Sequence, residues 1–368
     1  MQSFNSSATT PTTKRENQIM NQILNATKSL RGGLVVLVGI SILGGSASTQ
    51  AASIGSPASI VQISFAGGGK RDFVSTPYVR AEEASGTIAA VGSTTTLTLA
   101  DEASVNYTKD RFKPGAATQD NKYILEVLDG RYIGLVAYIK SNDGNTFTID
   151  EVSLPTDGLL VGSKYAIRKD WTIETLFGAA SASSPLASGA STGSADVINI
   201  WNQKGQSYSS FYIRLSGGTY SWRDAIGNAA QHTRIPYGQG VQVVKRSPGN
   251  GTLTLTGELR SSRLRRDLLA GKTALVANLS PSPTTLGAMD ISIARGNSTA
   301  ASVVKIWKTS GSGSWVPYYR KVSDGKFYDA VGALSDNQVI GAGKLVQVVN
   351  KSVDQIGANA LTINTRLP

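Results

Sequence analysis

The chain contains no cysteine and one histidine, His232. Those two counts exclude, or nearly exclude, disulfides, thiol nucleophiles, Cys/His zinc sites and covalently attached haem. Charge is sparse at 17% of 368 residues, which disfavours helices built from Glu, Lys and Arg. Long apolar runs are missing too. The uncharged stretch 34–43 has ten residues, about half the ~20 that a membrane-spanning helix needs. Glycine is plentiful at 39, together with Ser, Thr, Val and Ile. That mixture favours short strands joined by turns and predicts an all-β protein.

Lys28 and Arg31 precede the apolar stretch, and the small residues 44–52 follow it. A basic lead, a short apolar core and a small-residue cleavage zone identify residues 1–52 as a secretory signal peptide, cut near Ala51 or Ala52. The polar stretch before Met20 makes the lead unusually long, so Met20 is the expected start. The mature chain then has no transmembrane segment. It is expected to be exported, to the periplasm, the cell surface or the extracellular space. Loss of Lys14, Arg15, Lys28 and Arg31 against Glu16 lowers the net charge from +11 to +8. The chain stays basic, which suits acidic surfaces outside the cell.

Beyond the cleavage zone, period-two alternation marks strands at 60–65, 73–78, 86–91, 96–99, 123–127, 132–139, 146–149 and 164–168. Asp129-Gly130 and Asp143-Gly144 supply hairpin turns. Residues 53–177 therefore read as a small N-terminal β-barrel or sandwich-like domain, closed by one helical turn at 171–177. Residues 178–194 are almost pure Gly, Ala and Ser and read as a linker. Two internally repeated β-modules follow, 195–270 and 271–368. Their signature is internal: Ala195-Asp196-Val197-Ile198-Asn199-Ile200-Trp201 returns 106 positions later as Ala301 to Trp307, and Val241-Gln242-Val243-Val244 returns unchanged at Val346.

The repeat pairs Trp201 with Trp307, Arg214 with Arg320 and Asp224 with Asp329. A two-residue turn at Asp324-Gly325 would set Arg320 opposite Asp329, as a ligand clamp or as an orienting ion pair. Presence in both copies favours the orienting role. Trp201 and Trp307 read as core plugs, whereas Trp222, Trp315 and Tyr318 are the candidates for stacking on a glycan. Arg260, Arg263, Arg265 and Arg266 form the densest charge and a candidate patch for an acidic partner. No interleaved aromatics accompany them, so nucleic acid is not expected. Gly189-Ala190-Ser191-Thr192-Gly193 matches a nucleophile elbow by letter only, with no strand before it or helix after it. His232 reads as a solvent-facing loop residue. Linear sequence nominates no carboxylate pair, no metal site and no cofactor.

The segments 73–78, 86–88, 171–177, 222–227 and 235–238, with the closing Val346-Gln347-Val348-Val349, carry a resemblance that spans nearly the whole mature chain. It resembles a family of uncharacterised exported all-β proteins found chiefly in verrucomicrobial bacteria, with no assigned activity. The resemblance implies secretion and β architecture through packing and turn residues, and it supplies no catalytic residue. The expectation is a non-catalytic structural or interaction protein of the cell envelope or extracellular matrix, self-assembling through strand edges. The alternative is a carbohydrate-binding protein using the exposed aromatics. A polysaccharide-acting enzyme comes third.

Overall fold

The computed structural model describes residues 59–100, 107–115, 122–150, 153–260, 262–309, 313–351 and 360–363. The signal peptide expected over 1–52, and the start at Met20, lie outside them. The fold is nearly all β, as its composition predicts, with one short helix among the described residues.

Three strands open the described chain: β1 (Ser59–Phe65), β2 (Lys70–Val74) and β3 (Tyr78–Val79). Six more follow: β4 (Glu82–Ser93), β5 (Thr96–Leu99), β6 (Tyr123–Val127), β7 (Val136–Asp143), β8 (Thr146–Asp150) and β9 (Lys164–Lys169). These six close into an antiparallel barrel in the order β4-β5-β8-β7-β6-β9. Register shifts at Ile88/Ala90 and Val91/Ser93 bend the long β4 around the barrel. Inward positions carry Ile88, Leu97, Leu99, Phe147 and Ile167, all buried. Tyr107 and Phe112 pack among them from the loop after β5. Asn142 holds that loop, accepting from the Phe112 amide (3.0 Å) and donating to the Thr108 carbonyl (2.9 Å). Among the described residues these side chains form one buried cluster inside the barrel.

The helix α1 (Ile173–Phe177) follows, capped by Thr172 and Thr175, whose side chains each bond the other residue's amide. Then come β10 (Val197–Asn202), β11 (Ser207–Ser216), β12 (Thr219–Asp224), β13 (Val241–Lys245) and β14 (Gly251–Leu259). β1–β3 pair with this later group rather than with the barrel. β2 completes the sheet β12-β11-β10-β13-β2, and β14 lies between β1 and β3. The expected first unit, 53–177, thus lends its first three strands to the sheets of the first module.

The remaining strands are β15 (Leu264–Asp267), β16 (Thr273–Ala277), β17 (Thr284–Thr285), β18 (Val303–Lys308), β19 (Ser314–Arg320), β20 (Phe327–Asp329), β21 (Val339–Ile340), β22 (Leu345–Val349) and β23 (Ala360–Ile363). Their main sheet runs β20-β19-β18-β22-β16, the same order position by position as the first module's. The registers match as well. Val197 faces Val244, which faces Arg71; Val303 faces Val349, which faces Thr273. β15 pairs β23 as β1 pairs β14. Even α1 has a counterpart, because the amides of Leu176 and Met289 donate to the carbonyls of Thr172 and Thr285, both at 3.0 Å. Module A therefore comprises 59–79 with 171–260, and module B comprises the described residues from 262 to 363. Between β3 and α1 module A carries the entire barrel, where module B has only a short connection.

The stretch expected to be a linker belongs to module A. Gly189 donates to Ile213 O at 3.0 Å, as Gly296 does to Arg320 O, and Leu186 is 2% exposed in the module's core. Gly189 sits there against the Ala195 amide, where a Cβ would come within 2.6 Å of it.

The two modules grip one another reciprocally. Trp201 Nε1 donates to Thr273 O (2.9 Å), and Trp307 Nε1 donates to Arg71 O (3.1 Å). Ser75 N donates to Gly343 O (2.7 Å), and Ala277 N donates to Gly238 O (2.9 Å). Phe73, Leu275 and Leu345 fill the space between, with Trp201, Trp307 and Trp315 packed on them.

Candidate functional site

Where barrel and modules meet, β6 and β9 place Glu126, Arg168 and the following Asp170 against Arg234, Tyr237, Glu258 and Arg260 of module A. Arg260 Nη2 lies 2.7 Å from Glu126 Oε1, with side chains 1% and 2% exposed. Arg168 Nη1 donates to Glu258 Oε2 (2.8 Å), and Arg234 Nε lies 2.6 Å from Asp170 Oδ2. Ser262 donates to Glu126, and Arg260 Nη1 donates to Tyr237 Oη at 2.6 Å. Tyr138 Oη accepts from the Tyr237 amide at 2.9 Å. Burial pushes the Tyr138 phenol up to about 12 and raises that of Tyr237 as well, so both stay neutral. Each buried charge here meets an opposite one. This network fastens the barrel to the modules.

Beside it opens a cleft of about 990 Å³. Three walls meet there: β7 and β8 of the barrel, the β10–β11 hairpin of module A, and β15 of module B. The volume is at the upper end of the range for small-ligand sites. Its polar residues are held in place. Gln239 Nε2 donates to Trp201 O (2.6 Å), and Arg266 donates to Leu275 O (3.1 Å) and Gln239 Oε1 (3.2 Å). The Arg265 guanidinium sits 4.6 Å above the Tyr132 ring. Trp201 meets Tyr208 edge-on at 4.8 Å. Lys204 is exposed in the hairpin turn, and Asp150 is exposed at the end of β8.

The aromatics nominated from sequence do not form a glycan face. Trp222 is 1% exposed, its Nε1 donating to Gly178 O (3.0 Å). Tyr318 is buried, and Trp315 is half-buried with its ring 4.6 Å from Phe73. Burial of their large apolar area outweighs display. Trp201 and Trp307 are half-buried at the grip between modules rather than plugs of a single core.

The arginine patch is dispersed. Arg260 is buried in the network, Arg265 and Arg266 line the cleft, and Arg263 is exposed elsewhere on the strand's approach. Arg320 faces Phe327, not Asp329, because the β19–β20 loop is longer than two residues; Arg214 faces Ser221. Arg320 instead donates to Gly325 O (2.8 Å) and Ile291 O (3.1 Å). Asp224 and Asp329 each close the next turn. Asp224 Oδ1 accepts from Ile226 (3.1 Å) and Asn228 (2.8 Å), and Asp329 Oδ1 accepts from Val331 and Ala333 at the same two distances. Ser191 Oγ accepts from Gly193 N (3.2 Å) in a turn, which is no nucleophile elbow. His232 is not solvent-facing: its side chain is 11% exposed, with Nδ1 3.7 Å from Glu174 Oε2.

Sequence reasoning passed over Tyr138, Lys204, Ser209, Tyr237 and Gln239, which only the cleft brings together. No protein-family model, curated protein or solved structure matches the chain.

Proposed function

We propose that the protein is an exported, non-catalytic interaction component of the cell envelope or extracellular matrix, and that it holds an extended carbohydrate in the cleft. The cleft is the observation that carries the reading. It offers about 990 Å³ lined by the half-buried Trp201, with the side-chain amides of Asn202 and Gln239 held in place beside it and Ser209 exposed in the hairpin. Aromatic surface combined with fixed amides is the chemistry that sugar rings require. Asp150 is the one carboxylate among the described lining residues, whereas glycoside cleavage commonly uses two flanking the bond. Export is supported by the short apolar stretch 34–43 with its basic lead, and by the family resemblance. Self-assembly through strand edges is the weaker reading, because Trp201 and Trp307 already occupy carbonyls of the edge strands β16 and β2.

A glycan array probed with the mature protein, followed by calorimetry, tests this. Extended oligosaccharides are expected to bind. Ser209→Trp, which fills the cleft from an exposed position on β11, should weaken that binding at least tenfold. Silence across the array, or equal binding by the variant, overturns the proposal.

A further inference from the structure

We infer that the cleft's ligand is an acidic oligosaccharide, whose carboxylate or sulfate groups are read by Lys204 and Arg265 with Arg266 beside them. This rests on the carbohydrate reading of the same cleft and adds its charge.

Among the described residues three cations, Lys204, Arg265 and Arg266, line the cleft with one carboxylate, Asp150. Among the described residues neither Lys204 nor Arg265 has an acidic partner within ion-pair distance; Arg265 is instead positioned by the Tyr132 ring and by Arg131 O at 3.4 Å. A guanidinium positioned over an aromatic face retains N–H groups that can meet a planar or tetrahedral oxyanion. Arg266 is similarly oriented by Leu275 O and Gln239.

The comparison of the two modules is the second support. β1 reads Ser59-Ile60-Val61-Gln62-Ile63-Ser64-Phe65, and the matching segment of module B reads Ser262-Arg263-Leu264-Arg265-Arg266-Asp267-Leu268. Val61 faces Leu255 and Leu264 faces Ile363, so that packing position keeps its apolar character. Basic residues stand where module A has Ile60, Gln62 and Ile63, and two of them line the cleft. Module A builds the equivalent strand without these charges, which in module B reach the barrel at Tyr132 and the modules' junction at Leu275 and Gln239. The mature chain's net charge of +8 would also draw polyanions toward the site.

The test uses calorimetry on the mature protein with hexagalacturonate, its fully methyl-esterified counterpart and a heparin-derived hexasaccharide. The ester keeps the sugar backbone and removes the charge. At least one acidic probe should bind tenfold or more tighter than the ester at low salt, with the advantage shrinking as salt rises. Arg265→Gln and Lys204→Gln should each weaken acidic binding about threefold to tenfold and leave the ester unaffected. Both residues are at least partly exposed, and circular dichroism checks that the variants fold. If the ester binds as well as the acid and Ser209→Trp still abolishes both, the acidic inference is wrong and the carbohydrate cleft stands. Acidic binding indifferent to both charge variants also overturns the inference. Failure of every probe, with a silent array, removes both readings.

Discussion

Asp196 and Ser302 occupy matching places in the two modules, and their difference isolates what one buried charge contributes. Lys245 Nζ lies 3.1 Å from Asp196 Oδ2; in module B, Ser302 Oγ donates to Asn350 Oδ1 at 3.2 Å. An ion pair and a neutral pair thus serve one position in the fold. Burial pushes the Asp196 carboxyl up, but hydrogen bonds from the Ser247 and Ala187 amides, the Ser247 hydroxyl and Lys245 outweigh it and hold the group below the usual carboxylate range. A carboxyl depressed by folding contributes stability that is present above its unfolded value, near pH 4, and is lost as pH falls through the lower folded value. Asp196→Ser alone strands Lys245 and should cost about 3 kcal/mol. Adding Lys245→Asn installs module B's pair and should recover most of that loss. Urea titrations at pH 7 and pH 3 read both effects, and the double variant should lose less stability on acidification than the parent. Equal acid sensitivity in the two would contradict this assignment. The same scale explains the Asp224 and Asp329 turns, where a letter repeated in both modules serves backbone amides rather than a neighbouring arginine.

At the scale of elements, the repeated tryptophans act between sheets. Each indole N–H reaches the edge strand of the other module, covering a carbonyl that would otherwise offer itself to a foreign strand. Trp307→Ala removes a ring packed on Phe73 at 5.2 Å and Trp315 at 5.3 Å. Since Trp307 is half-buried, the expected cost is about 2–3 kcal/mol, at or below the low end for a fully buried ring. Chemical denaturation measures it, and an unchanged midpoint would mean the grip contributes nothing. The failed Arg320–Asp329 pairing is a lesson at this scale too. Ser216 faces Thr219 across a two-residue Gly217-Gly218 turn in module A, whereas Arg320 facing Phe327 leaves six residues between them in module B. Hairpin register follows loop length, and loop length is where the two modules differ.

For the whole molecule, the barrel is a continuous segment set between β3 and α1, with its own core and no open edge. Residues 80–170 expressed alone should therefore fold, giving a β-type circular dichroism spectrum and a cooperative thermal transition. A disordered spectrum would show that the charged junction with the modules is required for the barrel to form. That junction also walls the cleft, so attachment of the barrel and formation of the site are one structural event.

Much of this was legible in the chain because it is local. Alternating Thr, Val and Ile made strands, Gly and Asp made turns, and doubled letters at Trp201 and Trp307 marked matched segments. Alternation decides which face of a strand is buried but carries no label for its neighbour. The pairing of β1 with β14, nearly two hundred positions apart, was therefore invisible, and with it the true extent of module A. For the same reason Trp222 read as a surface residue, and the segment 178–194, anchored through Leu186 and Gly189, read as a linker. The cleft joins Tyr138, Lys204 and Arg265 from three separate stretches. Composition and local pattern determined that this is a β protein with matched halves, while long-range packing alone decided which charges were buried and which were left facing a common space.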